Sequence, residues 1–382
     1  MKEVIIDVET TGATNDTNGN PFSSVNRLIL FGYRTAASNQ IFTQTPVQET
    51  SRDIIYIGFN IKFDLHWWAR GSGCLSLNKI WDCQYVQYCL WRQKVAWISL
   101  DDCLKYYGFP LKLDIVKTEY WEKGIDTDQV PEHILREYLE GDLERTEQVY
   151  RKQREILEDM PDMFRLVTLG NSDIINTFYM EQAGIPYDNV SSIVAGNEIL
   201  ERIQRIDSDL SSLVGSSSTI NWNSNDSISV ILFGGVLKEK YRERYSQTLK
   251  SGVVKEKERW SIREIPFPAL TKPISPEREK PGFYSVNEDV LTKLKNKGKP
   301  QVRKICELLL ERAKLEKAVS SYYHGLPSLL ETMYWTDNIL HGQLNHAVTR
   351  TGRLASKLPN QQNIPDQIGA FCHSRFTDYS RL

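Results

Sequence analysis

Asp7-Val8-Glu9, at the end of the apolar run Val4-Ile5-Ile6, constrains this chain more than any other short stretch. An apolar run so placed reads as a strand buried in a sheet. Residues i and i+2 of a strand project to one face, so Asp7 and Glu9 point the same way. Two carboxylates held side by side repel unless a cation lies between them. Hard divalent ions such as Mg²⁺ take oxygen ligands of this kind. The other reading of the pair alone is a solvated acidic strand end.

Two further carboxylate motifs follow in order. Ile54-Ile55-Tyr56-Ile57-Gly58-Phe59 reads as a second strand and leads into Asn60-Ile61-Lys62-Phe63-Asp64. A helix beginning at Asn60 would use that residue as its N-cap and put Asn60 and Asp64 on one face. Trp67 and Trp68 read as packing residues. Tyr138-Leu139-Glu140-Gly141-Asp142 has helical flanks, so Tyr138 and Asp142 share a face at i, i+4.

The three motifs together resemble the DEDD exonuclease superfamily, in its tyrosine-bearing branch. The match is D-x-E, then Asn60 with Phe63-Asp64, then Y-x-x-x-D, with Trp81-Asp82-Cys83 at the acidic position usual after the second motif. The resemblance implies an α/β ribonuclease-H-like exonuclease domain with catalytic Asp7, Glu9, Asp64, Tyr138 and Asp142. It implies that the four carboxylates hold two Mg²⁺ or Mn²⁺ ions. Asp7 would bridge them, Glu9 and Asp142 would complete the first site, and Asp64 would support the second. Two such ions about 4 Å apart clamp an in-line displacement at phosphorus. Tyr138 would orient the attacking water, Asn60 would contact the single-stranded 3′ end, and a nucleoside monophosphate would leave.

The chain has 382 residues, enough for two or three domains. No apolar run approaches the ~20 residues of a membrane span. Met1-Lys2-Glu3 runs straight into a strand, so no signal peptide is expected. The expected location is cytoplasmic, in a bacterial host if the gene is a phage's. The six cysteines lack zinc-ligand spacing and are expected to be thiols.

A formal net charge of −2 hides an asymmetry. Residues 1–150 carry 15 Lys+Arg against 21 Asp+Glu, a net of −6, while residues 236–317 carry 21 against 12, a net of +9. A basic segment in a near-neutral chain points to phosphate contacts, with Lys255, Lys257 and Arg259 as candidates. A solvated, charge-laced helix or loop would give the same balance. Pro266, Pro268, Pro273, Pro276 and Pro281 make residues 238–282 a loop or hairpin rather than a helix.

Pro161 reads as a junction, or the Glu155–Leu169 pattern as one helix with a break there, and from about residue 165 the pattern turns helical. Asn171–Ala183 is amphipathic and stops at Gly184, and Val190–Leu213 and Val302–Tyr323 are further helix patterns. Ser285 with Glu288 three residues later has the form of a capping box.

Thr349-Arg350-Thr351-Gly352-Arg353-Leu354-Ala355-Ser356, followed by Pro359-Asn360-Gln361-Gln362-Asn363-Ile364-Pro365, resembles family A DNA polymerases. The family pattern is T-x-T-G-R-L-S-S-x-x-P-N-L-Q-N-I-P, from which Ala355 and Gln361 depart. Glu181–Asp188, Asn221–Gly235 and Phe283–Leu291 resemble the thumb of that family, and the basic excursion is closest to phage members. The resemblance implies an exonuclease domain over 1–162, a mainly α-helical thumb over 163–340 and the start of an α+β palm over 341–382. Primer-template DNA is the implied ligand. Arg353 is expected at the minor groove of the primer terminus, where an arginine checks pair shape without reading sequence. Thr351, Gln362 and Asn363 are further candidate contacts, and Gly352 is expected to let the backbone approach the nucleic acid.

The palm aspartates and the fingers helix of such a polymerase do not follow in this sequence. Asp378-Tyr379-Ser380 resembles the first palm motif superficially but is too close to Pro365. Three explanations compete: a split gene with palm and fingers on a second polypeptide, an expressed fragment, and a stand-alone exonuclease with a vestigial thumb. The first is the leading expectation. A non-catalytic primer-template-binding subunit is the non-enzyme alternative.

Overall fold

A computed structural model describes residues 1–111, 114–215, 220–248 and 254–372; Asp378 lies outside them. The chain forms two compact units. One comprises Met1–Ser192 with the segment from His324 onward, and the other Ile193–Tyr323. These units follow packing, whereas the three segments read from the sequence follow motif order.

The first unit is built on a five-stranded sheet of order β3-β2-β1-β4-β5. Its strands are β1 (Lys2–Thr10), β2 (Leu28–Arg34), β3 (Asn39–Phe42), β4 (Ile54–Gly58) and β5 (Ile80–Asp82). The three strands β1 to β3 are antiparallel, and β4 and β5 continue the sheet parallel to β1. Helix α1 (Lys62–Ser72) lies between β4 and β5; α2 (Cys83–Leu90), α3 (Leu100–Tyr107), α4 (Ile115–Glu119), α5 (Glu132–Glu158) and α6 (Pro161–Ala183) follow. Strand alternation divides β1 cleanly. Val4, Ile6 and Val8 pack with Leu65 and Trp68 of α1 and Phe178 of α6, while Ile5 packs with Leu135, Leu139 and Leu143 of α5. Each face of the sheet is therefore covered by helices.

Local chemistry sets several boundaries. Pro161 occupies the first turn of α6, where a missing N–H is tolerated. Gly184 ends that helix at a φ of 61°. Two-residue β6 (Ile185–Pro186) then leads into α7 (Asn189–Val214).

The second unit takes most of α7, then α8 (Asn225–Phe233), the strands β7 (Gly235–Thr248) and β8 (Val254–Phe267), α9 (Glu288–Lys297) and α10 (Pro300–Ala318). Its core joins Ile206 and Leu210 to Trp222, Ile231, Leu291, Ile305 and Leu309. Buried Arg312 holds Asp207 at 2.6 Å through Nε and Asn223 at 2.6 Å through Nη1. The alternation of the basic excursion produces a long antiparallel hairpin in register from Gly235↔Phe267 to Thr248↔Val254, and Pro268, Pro273, Pro276 and Pro281 follow it. Helix α9 is capped by Asn287, which accepts from the Val290 N–H at 3.0 Å, so the Ser285–Glu288 capping box does not form.

The segment from His324 returns to the first unit. After α11 (Gly325–Thr332), β9 (Ile339–Leu340) pairs with β6, and β10 (Gln343–Asn345) pairs with β11 (Ala355–Lys357). Among the described residues no helix is long and apolar enough to cross a membrane. All six cysteines are free thiols.

Candidate active site and nucleic-acid interface

Asp7 and Glu9 lie on the β1 face that α5 covers, the face of Ile5. Asp7 stands opposite Gly32 of β2. A β-carbon at Gly32 would come within 2.7 Å of Leu143 Cδ1 and 3.2 Å of Leu139 Cγ. The bare glycine therefore lets α5 sit close to the sheet, and α5 carries Tyr138 and Asp142. Both are buried on that helix, and the Tyr138 ring meets Trp121 edge-on at 6.1 Å.

Asp64 reaches the same region from α1. It is 3% exposed, and its carboxyl is held well above the ordinary carboxylate range. Burial is the main cause, followed by the negative charge of Asp7 and then of Asp82. The Val8 N–H lies between these groups: it donates to Asp7 Oδ1 at 3.0 Å and also favours the Asp64 carboxylate. Glu9 and Asp142 are each 6% exposed.

Among the described residues no group of three or more His, Cys, Asp or Glu side chains is gathered closely enough to hold a metal ion. The donor chemistry nevertheless fits a hard divalent cation. The negative charge of half-buried Asp7 helps to raise the buried Asp64 carboxyl across two separate elements, and oxygen is the only donor type among the four candidate ligands.

Asn60 departs from the sequence reading. Helix α1 begins after Ile61 with no side-chain cap, and Asn60 is exposed in a left-handed turn at φ 58°. Asn60 and Asp64 thus do not share a helical face. The turn is held by Asp82, whose role a motif position alone does not reveal. Its Oδ1 accepts from Asn60, Gln84 and Tyr85 N–H at 3.2, 2.9 and 3.2 Å, and its Oδ2 from Ile61 N–H at 3.2 Å. Burial pushes the Asp82 carboxyl up to about 6 against the pull of those donors. One buried carboxylate thereby fixes the start of α1 and caps α2.

A cavity of about 310 Å³ adjoins this turn, and its walls include Asn60, Phe63, Trp97, His346 and Lys357. Lys357 Nζ sits 4.9 Å from the Trp97 ring centroid. Nearby, buried Glu181 of α6 accepts from Lys62 Nζ at 2.7 Å and pairs with His66 Nε2 at 2.7 Å.

The Thr349–Arg353 segment is a closed turn. Thr349 Oγ1 donates to the Arg353 carbonyl at 2.8 Å, and the Gly352 N–H donates to the Thr349 carbonyl at 3.2 Å. The Tyr88 hydroxyl of α2 donates to the same Thr349 carbonyl. Gly352 has φ 72°, so the glycine is required by the turn itself. Thr351, Arg353, Gln362 and Asn363 are all exposed around it, and Gln362 Nε2 donates to the Leu354 carbonyl at 3.2 Å.

In the second unit, Lys255, Lys257 and Arg259 lie on one face of the hairpin, with Arg259 paired to Glu243 at 2.8 Å and 5.3 Å over the Tyr245 ring. The opposite face carries a second basic row, Lys238, Lys240, Arg242 and Arg244, which a charge count does not separate from the first. The signal was present as strict alternation in Lys238-Glu239-Lys240-Tyr241-Arg242-Glu243-Arg244.

Comparison with known proteins bears on the C-terminal region most directly. The sequence model of DNA polymerase family A matches residues 260–377. The thermostable DNA polymerase I of Thermus caldophilus is 28% identical over 187 residues, 49% of this chain and 17% of that protein. The DNA polymerase of Bacillus phage SP01 is 22% identical over 351 residues, 83% of this chain and 34% of that protein. The chain thus spans only a minor part of the curated relatives it matches. Its fold is similar to the POL domain of Pol1 from M. smegmatis, determined in complex with DNA primer-template and dNTP, with a TM-score of 0.61 at 15% identity over 95% of this chain and 52% of that one. By the match over residues 260–377 and these relatives, the chain is related to the family A DNA polymerases.

Proposed function

We propose that the chain is the proofreading and primer-binding part of a phage-type family A DNA polymerase, with a ribonuclease-H-like 3′→5′ exonuclease in its N-terminal 162 residues. One observation carries the nuclease reading: Asp7 from β1 and Asp64 from α1 meet closely enough for the charge of one to raise the proton affinity of the other. Repelling carboxylates brought together from distant parts of a chain are relieved either by a proton or by a cation between them, and the oxygen-only donor set supports a divalent cation. The sheet order, with its antiparallel edge and parallel continuation, supports the ribonuclease-H-like assignment.

Asp7, Glu9, Asp64 and Asp142 would hold two Mg²⁺ or Mn²⁺ ions. Bound divalent ions supply a hydroxide nucleophile at neutral pH and offset charge on a leaving oxygen. Tyr138 would orient the attacking water through its hydroxyl. Exposed Asn60, with Phe63 and the cavity beside it, receives the single-stranded 3′ end, where Trp97 offers a ring and Lys357 a cation. Arg353, Thr351, Gln362 and Asn363 present themselves to the primer-template from the 349–363 segment, and Lys255, Lys257 and Arg259 grip duplex phosphates. Nucleotide addition needs palm aspartates and fingers that are not among these 382 residues. They would come from further sequence of the same protein or from a second polypeptide.

The test is degradation of a 3′-labelled single strand. Asp7→Ala and Asp64→Ala should abolish divalent-dependent 3′→5′ hydrolysis, and Tyr138→Phe should slow it by about 10–1000-fold. Wild-type rates in both carboxylate variants would remove the nuclease assignment. Primer extension should appear only when palm and fingers are supplied. Extension by these 382 residues alone would overturn the reading of the C-terminal segment.

A further inference from the structure

The β7–β8 hairpin is a two-stranded ribbon with one fully solvent-facing side. Every even-numbered residue from Val236 to Ser246 and from Val254 to Pro266 is exposed. At the middle of that side Trp260 is 66% exposed, beside Ile262 at 60%. Trp260 and Ile262 form a small exposed apolar spot on a strand, outside the buried core clusters. The Arg242 guanidinium, across the strands from Trp260, lies 5.2 Å from its ring centroid.

The cations on this side are regularly spaced. Lys238, Lys240, Arg242 and Arg244 recur every second residue, about 6.8 Å apart along a strand. That repeat is close to the distance between successive phosphates of an extended single strand. Arg242 and Arg244 share one counter-charge, Glu258, at 3.3 and 3.0 Å. Exposed pairs of this kind are weak and exchange readily for another anion. Among the described residues Lys240 has no acidic partner.

From this juxtaposition we infer that the even-numbered face of the hairpin is a binding site for single-stranded nucleic acid, with Trp260 stacking on a base and Lys240, Arg242 and Arg244 following the backbone. Base stacking on an aromatic ring combined with a cationic track is the usual means of holding a strand without reading its sequence. A duplex does not satisfy this face, because its bases are stacked on each other and offer only their edges to a side chain. The site lies on the side opposite Lys255, Lys257 and Arg259, so one ribbon presents a stacking face and a duplex-phosphate face. Glu258 acts as a competitor for the strand: its carboxylate occupies the two arginines until phosphate displaces it.

The experiment measures affinity of the full chain for a fluorescently labelled oligo-dT and for a blunt duplex of equal length. A buffer containing EDTA makes the result independent of nuclease activity. Trp260→Ala should weaken oligo-dT binding by about tenfold or more, and Trp260→Phe should restore most of it. Glu258→Gln should tighten oligo-dT binding. Duplex affinity should stay within about twofold for both Trp260 variants. Unchanged oligo-dT binding by Trp260→Ala would overturn the inference. Equal losses for strand and duplex would also overturn it, by making the ribbon a general electrostatic surface. Failure of the duplex-grip reading would appear separately, as a wild-type duplex affinity that does not respond to salt.

Discussion

Asp7 stands opposite Gly32 across the β1–β2 ladder, and a β-carbon at Gly32 would press on Leu143 of α5 at 2.7 Å. The same missing side chain therefore sets how closely the helix bearing Tyr138 and Asp142 approaches the strand bearing Asp7 and Glu9. Leu143 and Leu139 are fully buried, so neither can swing aside freely. Gly32→Ala should cost about 1–3 kcal/mol, the usual range for an overpacked core, and should move Tyr138 and Asp142 outward. Thermal unfolding and single-strand degradation, measured on one preparation, check this. Unchanged stability together with unchanged hydrolysis would show that α5 does not depend on the contact.

The Asp7–Asp64 contact predicts a metal-linked stability. The folded-state pKa of Asp64 lies above its unfolded value, with burial first among the causes and Asp7 next. A carboxyl raised in this way favours the fold while protonated. That contribution is present at low pH and is lost as pH rises through the folded value. At neutral pH without divalent ions, Asp64→Asn should therefore melt above wild type, on a scale of about 2–4 °C for each kcal/mol of repulsion relieved. Adding Mg²⁺ should raise the wild-type melting temperature and leave the variant nearly unmoved. A variant that melts below wild type in EDTA would sink this account.

Much of this architecture was legible from short-range pattern. The apolar runs before Asp7 and Asn60 are strands β1 and β4, and Tyr138 and Asp142 share helix α5 because periodicity along one element is local information. Contacts made across the fold were not legible. Asn60 looked like a cap because its type and position suit one, yet Asp82, more than twenty residues on, accepts its N–H and fixes it in a left-handed turn. Asn287 displaced Ser285 as the cap of α9, a choice between neighbours that composition leaves open. In the hairpin the two-residue alternation was readable, but its meaning depends on the partner strand. Some cations of each basic row face acidic residues of the other strand, as Arg263 faces Glu239 and Arg244 faces Glu258, while Lys240 faces Ile262 and Arg242 faces Trp260.

Asp82 yields a prediction that separates charge from hydrogen bonding. With its carboxyl at about 6, above the unfolded value, the residue loses part of its contribution to stability as pH rises from about 4 to 6. Asp82→Asn should flatten that part of the pH profile, at the cost of turning an amide N–H₂ toward the donors it must accept. Asp82→Ala should cost more, about 2–4 kcal/mol, since it uncaps α2 and strips the acceptor from the Asn60 and Ile61 N–H groups. Denaturant unfolding at several pH values distinguishes the two. An alanine variant as stable as the asparagine variant would mean that water replaces the carboxylate, and that the turn before Asp64 is not held by it.

Glu181 ties three elements of the first unit into one buried polar network. Its Oε1 accepts from Lys62 of α1 at 2.7 Å and from the Leu344 N–H of β10 at 2.5 Å, and its Oε2 pairs with His66 Nε2 at 2.7 Å. Gln182 Nε2 lies 2.8 Å from His66 Nδ1, which fits an imidazole that accepts at Nδ1 and donates from Nε2 to the carboxylate. Burial lowers the His66 pKa, so a neutral ring suits this arrangement. Burial alone would raise the Glu181 carboxyl, but His66 and Lys62 hold it below its ordinary range. Glu181→Ala leaves the Lys62 ammonium, whose side chain is only 12% exposed, without its carboxylate. The expected loss is about 3–5 kcal/mol, that of breaking a buried pair from one side. Glu181→Gln keeps one acceptor for Leu344 or Lys62 but turns an amide N–H₂ toward His66, and should lose less. Hydrogen exchange gives the local readout. The Leu344 amide should exchange much faster in the alanine variant, while amides in the middle of β1 change only with global stability. Protection at Leu344 equal to wild type would show that β10 is held to the sheet unit without Glu181.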